Sequence, residues 1–176
     1  VVAGGRADAD SLVVEATAIG EATGSRFFAH YGALVVEPWK GRESETQQAI
    51  EAITQDLLLR GEGKVVTATQ WAAAVLYNGL GRYEEAYAAA KRGCENPQEL
   101  GLYLQSMVEL IEASARLGRP ERATETVQTI QDMAQASGTD WALGTSARAR
   151  ALVSDGQAAD ALYREAIERL GNTEVR

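Results

Sequence analysis

Apolar positions along this chain recur at intervals of three and four residues, as in Ala158, Ala159, Leu162, Tyr163, Ala166, Ile167 and Leu170, whereas alternating Val/Ile/Thr runs are nearly absent. That spacing puts the apolar side chains of each segment on one face of an α-helix. Thirty-one alanines and only three prolines reinforce the pattern, since alanine is the best helix former and proline the worst. The pattern predicts an all-α chain with helices near 8–23, 25–37, 43–60, 66–79, 82–94, 97–116, 120–137, 140–154 and 157–170. Asn96 followed by Pro97 and Glu99, Thr67 with Gln70, Ser44 with Gln47, and Thr139 before Asp140 are the predicted helix starts.

The punctuation between these helices repeats. Gly41, Gly81, Gly118 and Gly156 lie 40, 37 and 38 residues apart, and each is followed five positions later by a small residue: Thr46, Ala86, Ala123 and Ala161. A glycine in the left-handed conformation ends one helix, and a short side chain on the first turn of the next lets two helices cross closely. Each glycine thus marks a helix-turn-helix unit. Tyr77, Gly81, Tyr83 and Ala86 resemble the spacings of a tetratricopeptide (TPR) repeat, and the other three units keep the turn glycine and the small residue. The expected architecture is a TPR-like right-handed stack of antiparallel helix pairs, an α-solenoid of about nine helices, forming a single domain over residues 1–176.

Composition narrows the function. At 176 residues, with 45% apolar and 24% charged positions, the chain is long and apolar enough for a core of its own. Seventeen basic against 25 acidic residues leave a net charge of −8, which offers no general basic field to a phosphate backbone, so this segment is not expected to bind nucleic acid. Cys94 is the sole cysteine and His30 the sole histidine, which excludes a disulfide framework and leaves no metal set to expect. No apolar run reaches a membrane-spanning length and no leader precedes the first helix, so a cytoplasmic protein is expected. Because the chain begins at Val1 and stops at Arg176 within a helical pattern, a longer parent is expected too.

Isolated reactive groups lack partners in sequence. His30 falls 11 positions before Gly41, where TPR units place a packed aromatic, and has no second ligand nearby. Cys94 follows a helix end with only Lys91 and Arg92 close, which predicts an inert thiol. Glu43, Glu45, Glu84 and Glu85 occupy first turns, where acidic side chains offset the helix dipole. Gly4 and Gly5 have no third glycine and read as a turn. No catalytic residue, resident cofactor or metal is expected.

From Glu109 onward the wording becomes specific. Glu109-Leu110-Ile111-Glu112-Ala113, Gly118-Arg119-Pro120-Glu121-Arg122-Ala123, Ala136-Ser137-Gly138-Thr139-Asp140-Trp141-Ala142-Leu143-Gly144 and Ala161-Leu162-Tyr163-Arg164-Glu165-Ala166-Ile167-Glu168-Arg169-Leu170 resemble the helical-repeat region of large ATP-binding LuxR-family transcriptional regulators, relatives of the maltose regulator. The resemblance implies a parent with an N-terminal nucleotide-binding module, a central TPR-like sensor arm and a C-terminal helix-turn-helix that holds promoter DNA. No Gly-x-x-x-x-Gly-Lys-Ser/Thr loop and no basic recognition helix occurs here, so ATP and DNA are expected only on the absent modules. What the resemblance implies for this segment is an arm that receives a small-molecule inducer or a protein partner and mediates self-association. The alternative is a free-standing TPR adaptor that holds a partner's peptide.

Counting back 13, 10, 6 and 3 residues from each turn glycine gives the positions that a TPR unit turns toward its concave groove. They are Phe28, Tyr31, Val35 and Pro38; Ala68, Trp71, Val75 and Asn78; Gln105, Val108, Glu112 and Ala115; and Leu143, Ser146, Arg150 and Val153. Aromatics at a shared offset with scattered polar groups suit a ligand groove, with Phe28, Tyr31, Trp71, Asn78, Gln105, Glu112, Ser146 and Arg150 as its candidate residues. The apolar arc of the last helix spans about 180°, wider than one neighbour covers, so Leu162, Tyr163, Ile167 and Leu170 are the expected self-association surface.

Overall fold

The computed structural model describes residues 6–23, 27–60, 66–95, 97–98 and 100–173, excluding the side chains at 6–10, 21, 23, 27–29, 56–60, 66 and 100. Among the described residues there are nine α-helices and no strand: α1 (Arg6–Thr23), α2 (Phe27–Val36), α3 (Glu43–Arg60), α4 (Val66–Gly79), α5 (Tyr83–Gly93), α6 (Leu100–Arg116), α7 (Thr124–Ser137), α8 (Asp140–Leu152) and α9 (Gly156–Gly171). Two one-turn 3₁₀ helices, Glu37–Lys40 and Pro120–Ala123, lead out of α2 and into α7. All nine predicted helices are present. The largest boundary differences are at α6, where Pro97 and Gln98 form a turn before the helix starts, and at α7, whose first predicted turn is 3₁₀.

The turns explain why. Gly41, Gly81, Gly118 and Gly156 all have positive φ, between 56° and 74°, as does Gly138. At the first three the backbone closes identically. The glycine N–H donates to the carbonyl three residues back, and the following arginine N–H donates to the carbonyl five back: Gly81 to Asn78 at 3.2 Å and Arg82 to Tyr77 at 2.9 Å, with Gly41/Arg42 and Gly118/Arg119 doing the same. This double closure satisfies orphan carbonyls at a helix end and requires the left-handed residue that glycine supplies. The small residues that follow are buried: Thr46, Ala86 and Ala123 are each 0% exposed.

The fourth unit departs from this. α8 ends in single-turn bonds from Val153 to Arg150 and from Ser154 to Ala151, Gly156 already belongs to α9, and Ala161 is exposed. Two predicted helix starts also shift, because Ser44 and Thr67 lie inside the first turns of α3 and α4 rather than ahead of them. Asn96 and Glu99 lie outside the described residues. Thr139 caps α8 as expected, its hydroxyl accepting from the Ala142 N–H at 3.3 Å.

The chain divides into two compact units, one ending at Glu109 and one starting at Leu110, with the boundary inside α6. In the first, α2 packs on α3 and α4, and α4 packs on α5. Its core gathers Leu34, Ala49, Ile53, Ala68, Trp71, Ala72 and Val75, with Tyr31 and Leu102 packed against them. α5 contributes the buried stripe Ala86, Ala89, Ala90 and Gly93, whose small side chains allow close helix approach. Gly93 is the tightest point, since a Cβ there would overlap the Ser106 hydroxyl of α6. In the second unit α8 packs on α7 and α9. Gly144 of α8 receives Leu170 of α9, whose Cγ lies 2.8 Å from where a Cβ would stand.

Candidate ligand and partner surfaces

The groove positions fall in both units, and the two sets are described separately. In the first unit, Tyr31 is half-buried against the core, and the side chain of Phe28 lies outside the described residues. Trp71 is 5% exposed and is a member of the core cluster, its indole Nε1 buried without a hydrogen bond. Its ring therefore fills the space between helices. Asn78, two turns further along α4, is half-buried; its Nδ2 donates to the Glu109 backbone carbonyl at 3.0 Å and to Glu109 Oε2 at 2.8 Å. Gln105 is half-buried on α6.

In the second unit, Glu112 is half-buried and accepts from Arg116 one turn away at 3.4 Å and from Arg148 of α8. Ser146 is buried and Arg150 half-buried. Sequence reasoning missed Glu109 and Arg148, which hold Asn78 and Glu112 in place. Each bond joins helices two apart in the chain, α4 to α6 and α6 to α8, across 31 and 36 residues. A polar partner about one repeat away was the available signal.

The turns carry a second polar system. Arg82 donates from Nε to Glu85 at 3.0 Å and from Nη1 to Glu43 at 2.8 Å, and its guanidinium lies 4.5 Å from the centre of the Tyr77 ring. Its own backbone N–H and the Arg82 guanidinium hold the Glu85 carboxyl below the ordinary carboxylate range. Glu43 follows the first turn glycine and Arg82 the second, so the Arg82–Glu43 bond ties these two turns together.

Reactive chemistry is sparse. Burial pushes the Cys94 thiol up to about 11, and the nearby Arg92 is turned to Gln70, its Nε donating to Oε1 at 2.7 Å. Among the described residues no three His, Cys, Asp or Glu side chains are placed to share a metal ion, and no helix is long and apolar enough to cross a membrane. On α9, Leu162 and Leu170 are half-buried, whereas Tyr163 is 39% and Ile167 73% exposed.

Compared with known proteins, the chain matches no family model, no curated protein and no solved structure.

Proposed function

We propose that this chain is the non-enzymatic, TPR-like sensor arm of a LuxR-type transcriptional regulator. In this reading it receives a small inducer or protein partner in the groove formed by the first helices of its repeats and helps the parent self-associate. The observation that carries the repeat reading is the turn at Gly41, Gly81 and Gly118. It has one backbone closure, an arginine in the same place and a fully buried small residue five positions on, recurring at intervals of 40 and 37 residues. The Arg82–Glu43 bond supports it further, because stacked repeats set equivalent turns side by side. Bonds between α4 and α6 and between α6 and α8 fit the same plan.

The regulator assignment rests on the wording between Glu109 and Leu170. Reading the coding sequence upstream of Val1 and downstream of Arg176 tests it directly. A phosphate-binding loop before and a helix-turn-helix after support the regulator; a stop codon directly after Arg176 overturns it in favour of the adaptor.

A further inference from the structure

Away from the groove positions, residues of α2, α3 and the segment between them line an open cleft of about 420 Å³, within the size range of small-molecule sites. Its composition follows from two helical stripes. α2 contributes His30 and Ala33, the 3₁₀ turn that follows it contributes Glu37, and α3 contributes Glu45, Gln48, Ala49 and Ala52 at i, i+3, i+4 and i+7. The three alanines make a smooth apolar wall, and the polar groups stand around it.

These polar groups differ in what they have left to offer. Glu37 is already engaged by Lys40 at 2.9 Å and by Arg42 at 3.3 Å, so its charge is neutralised. Gln48 donates its amide N–H to Ser44 at 3.3 Å, which leaves its carbonyl oxygen as an acceptor. Glu45 is exposed and forms no ion pair with another described residue. Buried at the edge of the cleft, His30 Nδ1 has no hydrogen-bond partner. The uncommitted groups open to a ligand are therefore one carboxylate and one amide carbonyl beside an alanine wall. A carboxylate and a carbonyl on adjacent turns of one helix face are acceptors for a single cationic donor.

We propose that this cleft binds a small primary aliphatic amine, with its ammonium between Glu45 and Gln48, its stem along Ala33, Ala49 and Ala52, and its far end beside His30. The site is separate from the groove and does not depend on the regulator assignment.

His30 is the sole histidine, so its ring resonances identify themselves in a proton spectrum of the whole chain. The experiment titrates n-butylammonium chloride at constant ionic strength and about pH 7, where the amine is protonated, with sodium butyrate as the matched anion. A saturable shift of the His30 ring with butylammonium is expected, with none for butyrate. Glu45→Gln, a substitution at an exposed position, should weaken the response at least tenfold, and Ala52→Leu should abolish it by filling the wall. A linear drift without saturation, an equal response in Glu45→Gln, or saturable binding of butyrate overturns the proposal.

Discussion

Trp71 places the largest side chain of α4 among Leu34, Ile53 and Val75, which decides what its removal does. Truncation of a buried aromatic costs its transfer energy and leaves a cavity, together about 3–5 kcal/mol. Trp71→Ala should therefore lower the denaturant midpoint strongly, and an unchanged midpoint would show that the ring is not part of the core. Gln105→Ala, at a half-buried position of α6, should stay within about 0.5 kcal/mol and is the better probe of ligand response. The offset of ten residues before each glycine selected Tyr31 and Trp71 together, and both pack on the core. Cys94 gives a second residue-scale test. Its thiol is pushed up to about 11 by burial, so the native state disfavours the thiolate. Alkylation by iodoacetamide should still be accelerating above pH 9, whereas the unfolded chain should level off near the ordinary thiol value. The sign for stability follows: the protonated thiol suits the folded state, so this contribution is complete at neutral pH and is lost as pH climbs from about 9 toward about 11.

At the scale of elements, the turn glycines separate backbone demand from space. Gly118 has φ +66° and nothing within 4 Å of a would-be Cβ, so any penalty there is conformational. Gly118→Val should cost about 1–3 kcal/mol in a thermal or urea melt. Gly79 also has open surroundings but ordinary helical φ, and Gly79→Ala should instead stabilise by about 0.5–1 kcal/mol. Loss of stability at both positions, or at neither, would refute this account of the turn. Such turns were legible in the sequence because a positive φ is a local demand that glycine meets by itself. Helix existence was legible for a related reason, since apolar spacing and alanine content act within a single segment. What escaped the sequence depends on neighbours. Ala161 sits at the same offset as Ala86 and Ala123, yet it is exposed, and α8 ends without the double closure of the first three turns. The Glu112–Arg148 and Asn78–Glu109 bonds join side chains about one repeat apart, and only packing selects them from many equally spaced pairs. The His30 cleft escaped for that reason as well: it exists where two helix stripes meet, and neither stripe alone marks it.

For the molecule as a whole, α9 has a consequence beyond its own unit. One side of its apolar arc is satisfied: Ala166 is buried and Leu170 lies against Gly144 of α8. The other side is not covered by any described residue, since Ile167 is 73% and Tyr163 39% exposed. Arg164 and Glu168 are exposed beside them, three residues before and one after Ile167. An antiparallel pairing of two α9 helices about a two-fold axis would bury both apolar side chains and set each charge near its opposite, and a two-fold dimer is the commonest closed symmetry. Self-association through this face is thus the expected behaviour of the chain. Sedimentation velocity across a concentration series should show a monomer–dimer equilibrium, and Ile167→Glu, which places a carboxylate at the centre of the contact without touching the core, should return the chain to monomer with its melting midpoint nearly unchanged. A wild-type chain that remains monomeric at the highest concentration, or an Ile167→Glu variant that still dimerises, would remove α9 from the interface and leave Tyr163 and Ile167 as ordinary exposed apolar residues.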